Sequence, residues 1–397
     1  MKCRVCESSN VVKVLDLGRQ PWCNNFLKKK EIGKEKKYPL ILMYCNACSL
    51  AQLNHTVKKE VMFSDHTYLS GITKTLSDHF KGISIDLNKR FNKDNNNKSI
   101  LDIGSNDGTF LKHFKKINWT ILGIESSKKI SKIANKNKIK TINKFFNFNL
   151  AKKINKKFDF INASGIFFHL EELHSFTKGV KLLLKADGIF IVQFLYMKSI
   201  VQNTAFDQIY HEHLLYYNLL TLQNLLNKYD LEIFDCKLEA VHGGQMNAYI
   251  SHKNERKKSN RFMSALENEI KSGCNKIEFY RKFKQKVEKL KSENIKFLKN
   301  AKKNKKVIFG IGAPAKGNTL LNYFDLNSNT ISKLLEKNQM RKNLFAPGSH
   351  IPIVMENEEK NLPDIYYVLA WNFKKEILNN FKKRGISRSK FYFPIKV

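Results

Sequence analysis

An acidic, glycine-containing segment at residues 101–111 has the residue types of a loop that holds a small molecule. The apolar residues that open it predict a buried strand, and Gly104 and Gly108 allow the sharp turn that leads into a helix. The segment lacks the Lys-Ser/Thr pair of a P-loop, and the spacing of its glycines differs from that of the dinucleotide motif. Two acids, Asp102 and Asp107, would repel a pyrophosphate, so they favour a cationic ligand that carries hydroxyl groups.

A further acid lies where a ribose contact is expected. Glu125 ends the apolar run at 121–124, which predicts a second strand, and it follows Gly104 by 21 residues. An acidic side chain at the tip of that strand can accept both ribose hydroxyls of a bound nucleoside. Together with segment 101–111, Glu125 favours S-adenosylmethionine (SAM) as the ligand, and another nucleotide or a plain turn are the alternatives.

The densest group of reactive side chains consists of Tyr210, His211, Glu212 and His213. A histidine beside a carboxylate suits general-base catalysis, because the carboxylate can set the imidazole tautomer and keep its pKa near neutral. A tyrosine hydroxyl can stabilise a developing oxyanion. His169 follows the third predicted strand, at 158–163, so parallel strands would bring it to the same sheet edge. The alternative is that these histidines belong to the core or the surface.

Four cysteines are arranged as two Cys-x-x-Cys pairs, Cys3 with Cys6 and Cys45 with Cys48. Each tight turn can offer two thiolates from one side, and two such turns complete the tetrahedral shell that zinc prefers. Four protein ligands leave no open coordination position, so we expect a structural zinc. Two pairs of free or redox-active thiols are the alternative.

A second glycine-containing loop, at residues 310–317, follows a predicted strand at 307–309. It precedes a helix that we expect to begin near Asn318, and another strand is predicted at 366–370. Lys316 and the backbone amides at the start of that helix favour an anion, for which a diphosphate is one candidate. A structural turn that carries an exposed lysine is the alternative.

The composition limits the class of protein. With 397 residues, of which 42% are hydrophobic, the chain is long enough for two or three packed domains. The formal net charge of +36 raises nucleic acid as a partner, but only 9 of the 71 basic residues are arginine and the lysines are spread along the whole chain. We therefore predict no nucleic-acid partner. No apolar run reaches the ~20 residues that span a bilayer, so we also predict no membrane contact and a cytoplasmic location.

Strand-like and helix-like segments alternate from residue 100 onward, which is typical of a parallel sheet with helices on both faces. Asp187-Gly188 predicts a turn between an amphipathic helix at 173–185 and a strand at 188–194. The Lys- and Glu-rich stretch at 251–306 has the apolar spacing of one or two long surface helices. These patterns predict an α/β protein with a helical connection between two α/β units.

Several motifs recur in a fixed order, and in that order the chain resembles the three-part sugar-nucleotide C-methyltransferases of deoxysugar biosynthesis. The motifs are the two Cys-x-x-Cys pairs, LDIGSNDG at 101–108, FDQIYHEH at 206–213, HGG at 242–244, the loop and helix at 310–321, and PGSHIP at 347–352. The resemblance covers nearly the whole chain, and its later motifs are far more specific than the glycine loop.

The resemblance implies three domains. A small zinc-binding domain is expected at 1–70, and a class I SAM-dependent methyltransferase domain with a Rossmann-like α/β fold is expected at 71–250. The remaining residues, 251–397, would form the helical connector and a second Rossmann-like α/β domain that helps to hold a nucleotide-linked sugar.

The resemblance also implies roles for the reactive side chains. His213 would be the base that removes a proton from the carbon beside a sugar ketone, with Glu212 orienting it. Tyr210 and His169 would stabilise the enolate, and Tyr68 would close the pocket. The proton beside a carbonyl is acidic enough for imidazole only when preorganised donors meet the enolate oxygen, and the carbanion then attacks the sulfonium methyl group.

The other site residues are expected to hold the two ligands. Contacts with SAM are assigned to Asp102, Gly104, Asn106, Asp107, Gly108, Glu125 and Ala163. Contacts with the nucleotide-linked sugar are assigned to His242, Gly243, Lys316, Asn318 and His350. Segments 165–169 and 192–195 differ from the commoner family pattern, so the resemblance leaves the acceptor and the carbon attacked open.

These observations lead to one principal hypothesis and three alternatives, one of which is a degenerate binding module without catalytic activity. The chain is predicted to be a SAM-dependent enzyme that methylates a carbon of a nucleotide-linked keto-deoxysugar, as a monomer or homodimer with one structural zinc. O- or N-methylation of a nucleotide sugar is the alternative within the same class. A zinc-ribbon protein that binds or methylates nucleic acid is the alternative from another class, and it rests on the positive charge.

Overall fold

The computed structural model describes residues 1–64, 69–72, 74–92, 97–239 and 243–396, and for 72 and 74–76 the backbone alone. The strands are β1 (Val11–Pro21), β2 (Lys37–Cys45), β3 (Ala51–Leu53), β4 (Ser99–Ile103), β5 (Thr120–Glu125), β6 (Thr141–Asn143), β7 (Phe158–Ser164), β8 (Leu184–Leu195), β9 (Leu215–Tyr216), β10 (Leu231–Glu239), β11 (Gln245–His252), β12 (Ile308–Ile311), β13 (Lys333–Glu336), β14 (Ile353–Met355), β15 (Ile365–Val368) and β16 (Phe391–Tyr392). The α-helices are α1 (Lys59–Phe63), α2 (Lys74–Phe91), α3 (Thr109–Lys115), α4 (Lys128–Lys136), α5 (Phe148–Ile154), α6 (Leu173–Leu183), α7 (Met197–Gln202), α8 (Leu219–Asn227), α9 (Asn260–Lys271), α10 (Ile277–Lys303), α11 (Ala315–Tyr323) and α12 (Lys374–Lys382). Within the described residues, none of these helices combines the length and the apolar character needed to cross a bilayer.

The first sheet is antiparallel and has the order β1-β2-β3-β9. Its fourth strand comes from far along the chain, because Ala51 of β3 pairs with Tyr216 of β9. The turn between β2 and β3 carries one Cys-x-x-Cys pair, and the segment before β1 carries the other. The sheet therefore joins the cysteine-rich start of the chain to the residues that follow His213.

The second sheet has the order β10-β11-β8-β7-β4-β5-β6. Strands β8, β7, β4, β5 and β6 are parallel neighbours, while β11 runs antiparallel between β8 and β10. A parallel strand covered by helices on both faces is apolar along its length, and every residue of β4 is buried. The strands predicted at 100–103, 121–125 and 158–163 are confirmed, and the helix expected after the glycine turn is α3, which begins at Thr109.

The turn predicted at Asp187-Gly188 is wrong, because both residues lie inside β8. The ladder between β7 and β8 is irregular there: Phe158 pairs with Leu184, but Phe160 pairs with Ile189. The extra residues of β8 are absorbed as a bulge, so residues that often form a turn bend the strand instead of ending it.

The third sheet is parallel, with the order β14-β13-β12-β15-β16, as expected of a Rossmann-like unit. The helices predicted within 251–306 are α9 and α10. Helix α11 begins at Ala315, directly after Pro314, and not near Asn318 as predicted. Proline lacks an amide proton and has a fixed φ, so it suits a helix start, where the first amides have no partner in the helix.

One continuous hydrophobic cluster runs through all three sheets. It includes Leu42 of β2, Phe190 of β8 and Leu334 of β13, each with no exposed surface. Phe206 and Ile209 belong to the same cluster, so the segment that carries the predicted base is part of this shared core.

Asp235 on β10 ties two helices to the second sheet. Its carboxylate accepts hydrogen bonds from Arg90 of α2, from Arg261 of α9 at 2.5 Å and from Ser259 Oγ at 2.6 Å. Burial alone raises the pKa of Asp235, but the hydrogen bonds from Arg261, Ser259 and Arg90 outweigh burial and hold this pKa below its usual range.

Asp235→Asn is expected to lower the free energy of unfolding by about 2 kcal/mol at neutral pH, because Arg261 and Arg90 lose the carboxylate that they share, and Arg90 keeps only its pair with Asp86. Since the folded-state pKa is depressed, the stabilisation is present above about pH 4 and is lost as the pH falls through the folded pKa. Urea denaturation at neutral pH and in steps below about pH 4 measures both effects. The control is Asp230→Asn, which removes an exposed pair with Lys181 and should leave the midpoint unchanged. Equal losses in the two variants would contradict the prediction.

Candidate active site

The loop between β4 and α3 depends on two glycines. Gly104 and Gly108 have φ angles of 77° and 81°, and Asn106 between them has a φ of 49°. These values lie in the left-handed region, which glycine and asparagine adopt at the lowest cost. A Cβ at Gly104 would lie 2.6 Å from Cγ2 of Ile166, so this position has no room for a side chain. The loop therefore presents backbone at the carboxyl end of β4, where open α/β sheets bind ligands.

The acids of this loop have partners within the protein. Asp102 is buried, and its Oδ1 accepts a hydrogen bond from Asn162 Nδ2 at 2.7 Å. Burial raises the pKa of Asp102 to about 7, so its carboxyl group is partly protonated near neutral pH. Asp107 Oδ1 accepts from the Thr109 hydroxyl at 2.6 Å, and its Oδ2 accepts from the Gly71 amide at 2.9 Å. Both side chains brace the loop, in addition to any contact with a ligand.

Glu125 lies at the carboxyl end of β5, beside the glycine loop. Its Oε2 accepts from the Asn106 amide at 3.0 Å, and its Oε1 accepts from the Ser127 amide at 2.8 Å. Ser126 Oγ also lies 3.4 Å from Oε1. A carboxylate only accepts hydrogen bonds, which suits the hydroxyl groups of a nucleoside. Ala163, at the end of β7, is fully buried. The donor and acceptor set therefore fits a nucleoside lying across the ends of β4 and β5.

Three of the predicted catalytic side chains lie together. The ring centroids of Tyr210 and His213 are 3.8 Å apart, and those of His169 and His213 are 5.2 Å apart. The Phe168 ring packs edge-on against His213 at 4.8 Å, and His213 is only 5% exposed. The fold thus brings His169, which follows β7, to the segment 206–213.

The proton positions on the two imidazoles follow from backbone partners. His213 Nδ1 lies 2.7 Å from the Gln208 carbonyl oxygen, and His169 Nδ1 contacts the Glu212 carbonyl oxygen. Because a carbonyl oxygen only accepts, Nδ1 carries the proton in each ring, and Nε2 is the basic nitrogen of the neutral form. Burial raises the pKa of Tyr210 well above its usual value, so the phenol stays protonated as a hydrogen-bond donor. A base and a donor therefore lie side by side.

The carboxylate of Glu212 is held by the first segment of the chain. Trp22 Nε1 and Asn24 Nδ2 each donate to Glu212 Oε1 at 2.6 Å. Neither residue was predicted from the sequence, because Trp22 and Glu212 are 190 positions apart. The only local signal is the proline and the aromatic residues around position 22, which favour a packed loop. Tyr68, predicted to close the pocket, lies outside the described residues.

The second glycine loop lies against the segment 206–213. Lys316 Nζ is 3.6 Å from the centroid of the Trp371 ring, and Trp371 Nε1 donates to Asp207 Oδ2 at 2.7 Å. Burial lowers the pKa of Lys316 to about 8, although Asp207 opposes that shift. Lys316 is half-buried, so it is not the exposed lysine that the alternative of a structural turn assumed. A Cβ at Gly243 would lie 2.8 Å from the Trp371 ring, and the neighbouring His242 lies outside the described residues.

Two further residues predicted to bind the sugar nucleotide contact the first segment of the chain. Asn318 Nδ2 donates to the Cys23 carbonyl oxygen at 2.7 Å. His350 Nε2 lies 2.5 Å from Glu35 Oε1, and the Glu35 side chain is almost fully buried. Both side chains therefore have a structural partner that the sequence did not reveal.

The four cysteines of the two pairs lie together. Their sulfur atoms are all within 4.8 Å of one another, and the Cys3–Cys48 and Cys6–Cys45 distances are both 3.5 Å. Thiolates bound at about 2.3 Å to tetrahedral zinc are about 3.8 Å apart, so the spacing fits this metal. Burial and the neighbouring thiols raise the pKa of Cys45 to about 11, a cost that a bound divalent cation removes.

Cys48→Ser is expected to lose most of the one zinc ion bound per chain and to lower the thermal midpoint, because three thiolates and a hydroxyl bind zinc far more weakly than four thiolates. Elemental analysis of the purified protein and a thermal melt measure the two effects. Cys274→Ser, at a buried cysteine outside the cluster, is the matched control and should keep its zinc. Full zinc retention in Cys48→Ser, or a parent protein without zinc, would contradict the assignment.

Solved methyltransferase structures resemble part of the chain weakly. The plantazolicin methyltransferase BpumL in complex with SAH is 17% identical, with a TM-score of 0.36 over 44% of this chain and 82% of BpumL. Magnesium protoporphyrin IX methyltransferase (ChlM) from Synechocystis with bound SAH is 10% identical, with a TM-score of 0.37 over 45% of this chain and 88% of ChlM. Likenesses this weak add nothing about the site.

Family models and a full-length relative are more informative. A zinc binding domain matches residues 3–63, a methyltransferase domain matches residues 78–235, and a C-methyltransferase C-terminal domain matches residues 240–396. C-methyltransferase NovU of Streptomyces niveus is 26% identical over 400 residues, which cover 99% of this chain and 95% of NovU. The four clustered cysteines agree with a structural zinc site, and the methyl donor is SAM. Over nearly its whole length the chain therefore resembles the three-part C-methyltransferases, and it is a SAM-dependent methyltransferase.

Proposed function

We propose that this enzyme methylates a carbon atom of a nucleotide-linked keto-deoxysugar. The observation that carries the proposal is the orientation of His213, whose Nδ1 faces the Gln208 carbonyl oxygen and whose Nε2 is therefore the basic nitrogen. Tyr210 lies against the same ring, and its raised pKa keeps it protonated as a donor. A hydroxyl or amine nucleophile needs a base but no enolate support, whereas a carbon acid needs both.

In the proposed reaction, His213 Nε2 accepts the proton from the carbon beside the ketone. The electrons of the broken C–H bond form an enolate, and the Tyr210 hydroxyl donates to its oxygen. His169 can donate to that oxygen only as an imidazolium, because its Nδ1 proton already faces the Glu212 carbonyl oxygen. SAM, when bound, supplies an electrophilic methyl group, and the substrate carbon bonds to it as the C–S bond breaks. The proton then passes from His213 to solvent.

We also propose that loops of the third sheet hold the nucleotide portion of the substrate. Lys316 places a positive charge beside the segment 206–213, which suits a diphosphate. Several buried polar atoms nearby have no hydrogen-bond partner within the part of the chain that is described, and a ligand would supply one. These atoms are Asp207 Oδ1, Gln208 Nε2, Asn318 Oδ1, Thr319 Oγ1 and Ser349 Oγ.

The proposed domain extents are 1–70, 71–250 and 251–397. Strands β1, β2 and β3 lie in the first extent, and the whole third sheet lies in the last. Strand β9 belongs to the middle extent but completes the first sheet, so these domains would share secondary structure as well as a core.

His213→Gln is expected to abolish exchange of the proton beside the ketone and to lower methyl transfer by about 10³-fold, because the substitution removes the proposed base. The parent enzyme, incubated in D₂O without SAM, should introduce deuterium into the accepted member of a panel of nucleoside diphosphate-linked keto-deoxysugars. NMR and mass spectrometry of the sugar measure the exchange. Tyr210→Phe should slow exchange about 10- to 100-fold while SAM affinity is unchanged.

Different results would point to the alternatives. Methyl transfer without any α-proton exchange would favour O- or N-methylation of the nucleotide sugar. Affinity for duplex or single-stranded nucleic acid that survives about 0.2 M salt would favour the nucleic-acid alternative. Unchanged turnover in both His213→Gln and Tyr210→Phe would exclude the proposed catalytic assignment.

Gly104→Ala is expected to weaken binding of S-adenosylhomocysteine at least tenfold, because it combines left-handed strain of about 1–2 kcal/mol with a clash against Ile166 in the proposed cofactor loop. Calorimetric titration measures the affinity. Gly18→Ala is the matched control, since its φ of +80° is similar but nothing lies within 4 Å of the added Cβ. Equal loss of affinity in the two variants would show that backbone strain, and not the loop, is responsible.

A further inference from the structure

We propose that Trp22 and Asn24 are positioning residues of the active site, which makes the zinc-bearing segment part of the catalytic apparatus. Each side chain donates to the same oxygen, Glu212 Oε1, at 2.6 Å. Glu212 is only 8% exposed, so water offers little alternative to these donors. Hydrogen bonds from N–H groups to an ionised carboxylate are short and strong, and two of them hold it in one orientation.

The loop that carries the two donors, residues 22–26, is fastened on both sides. It follows the end of β1, and it precedes Leu27, whose backbone pairs with Phe345. Between these points, the Cys23 carbonyl oxygen accepts a hydrogen bond from Asn318 Nδ2 at 2.7 Å. The loop 22–26 thus packs against the part of the chain that carries Asn318 and Phe345, and this packing sets the direction of the two donors.

Glu212 connects the two donors to His169 and His213. Its carbonyl oxygen is the partner of His169 Nδ1, and its peptide group leads directly into His213. A rotation at Glu212 would therefore displace both histidines. Its negative charge, one residue from the base, also favours the imidazolium that forms when His213 accepts a proton. Trp22 and Asn24 keep the backbone and the charge in place without contact with the reacting atoms.

This inference rests on the proposed function for the roles of His169 and His213, but the hydrogen bonds can be tested without substrate. The chain has three tryptophans, so selective nitrogen-15 labelling gives three indole N–H signals, and Trp22→Phe assigns one of them. Glu212→Gln is expected to move the Trp22 signal upfield, because an amide oxygen is a weaker acceptor than a carboxylate. The Trp371 signal, whose partner is Asp207, should stay in place. An unmoved Trp22 signal would overturn the inference.

The effect on catalysis is tested with the sugar nucleotide that the panel identifies. Trp22→Phe and Asn24→Ala are each expected to lower kcat about tenfold, with the KM for SAM within about twofold and the zinc content unchanged. Asn25→Ala, at the exposed neighbour on the same loop, is the matched control and should retain kcat. Loss of kcat in the control as large as in Asn24→Ala would overturn the inference.

A double-mutant cycle separates positioning from general stability. In the Glu212→Gln background, Trp22→Phe and Asn24→Ala should change kcat little further, because both act through the carboxylate. Effects that multiply fully would indicate an unrelated structural role and would overturn the inference. Absence of α-proton exchange in the parent enzyme would count against the proposed function alone. The indole signals and the double-mutant cycle of methyl-transfer rates would still report on the coupling of Trp22 and Asn24 to Glu212.

Discussion

The whole arrangement depends on the burial of the polar segment 206–213 where three sheets share one core. Buried polar groups need hydrogen-bond partners inside the protein, because burial of an unpaired polar group lowers the stability of the fold. Glu212 accepts hydrogen bonds from Trp22 and Asn24 in the loop after β1. Asp207 accepts one from Trp371, near the end of the chain. His213 pairs with the carbonyl of Gln208 in its own segment. Since two of these partners come from opposite ends of the chain, the geometry proposed for catalysis forms only when all three parts have packed.

Secondary structure connects the cysteine cluster to His213, the proposed base. One Cys-x-x-Cys pair lies in the turn between β2 and β3, and β3 pairs with β9. Strand β9 begins at Leu215, two residues after His213. A small antiparallel sheet buries little surface by itself, and a closed four-thiolate zinc site holds such a sheet rigid at its turn. Rigid support is what a catalytic side chain needs, because displacement of a reacting group by even about 1 Å lowers the rate steeply.

The charges near the proposed base, His213, are arranged by tertiary contacts and not by adjacency in the sequence. Neighbouring positions made Glu212 the expected partner for the orientation of His213, whereas the 2.7 Å contact of His213 Nδ1 is with the Gln208 carbonyl oxygen. A carbonyl oxygen selects the tautomer without adding a charge. The negative charge of Glu212 is oriented by Trp22 and Asn24. Lys316 was predicted from the sequence to bind an anion. In the structure it lies near Asp207 and against the Trp371 ring.

Local structure and reactive residue types could be predicted from the sequence: the strands at 100–103, 121–125 and 158–163, the glycine turn, the paired cysteines and the Tyr210–His213 motif. These features depend on apolar periodicity and backbone preference, and both are set by residues that are close together in the sequence. Four further features could not be predicted: β9 completes the first sheet, Asp187-Gly188 lies within a strand, Glu35 pairs with His350, and Trp22 and Asn24 donate to Glu212. Such pairings join residues as much as 315 positions apart, and they depend on how whole sheets pack, which no local pattern contains.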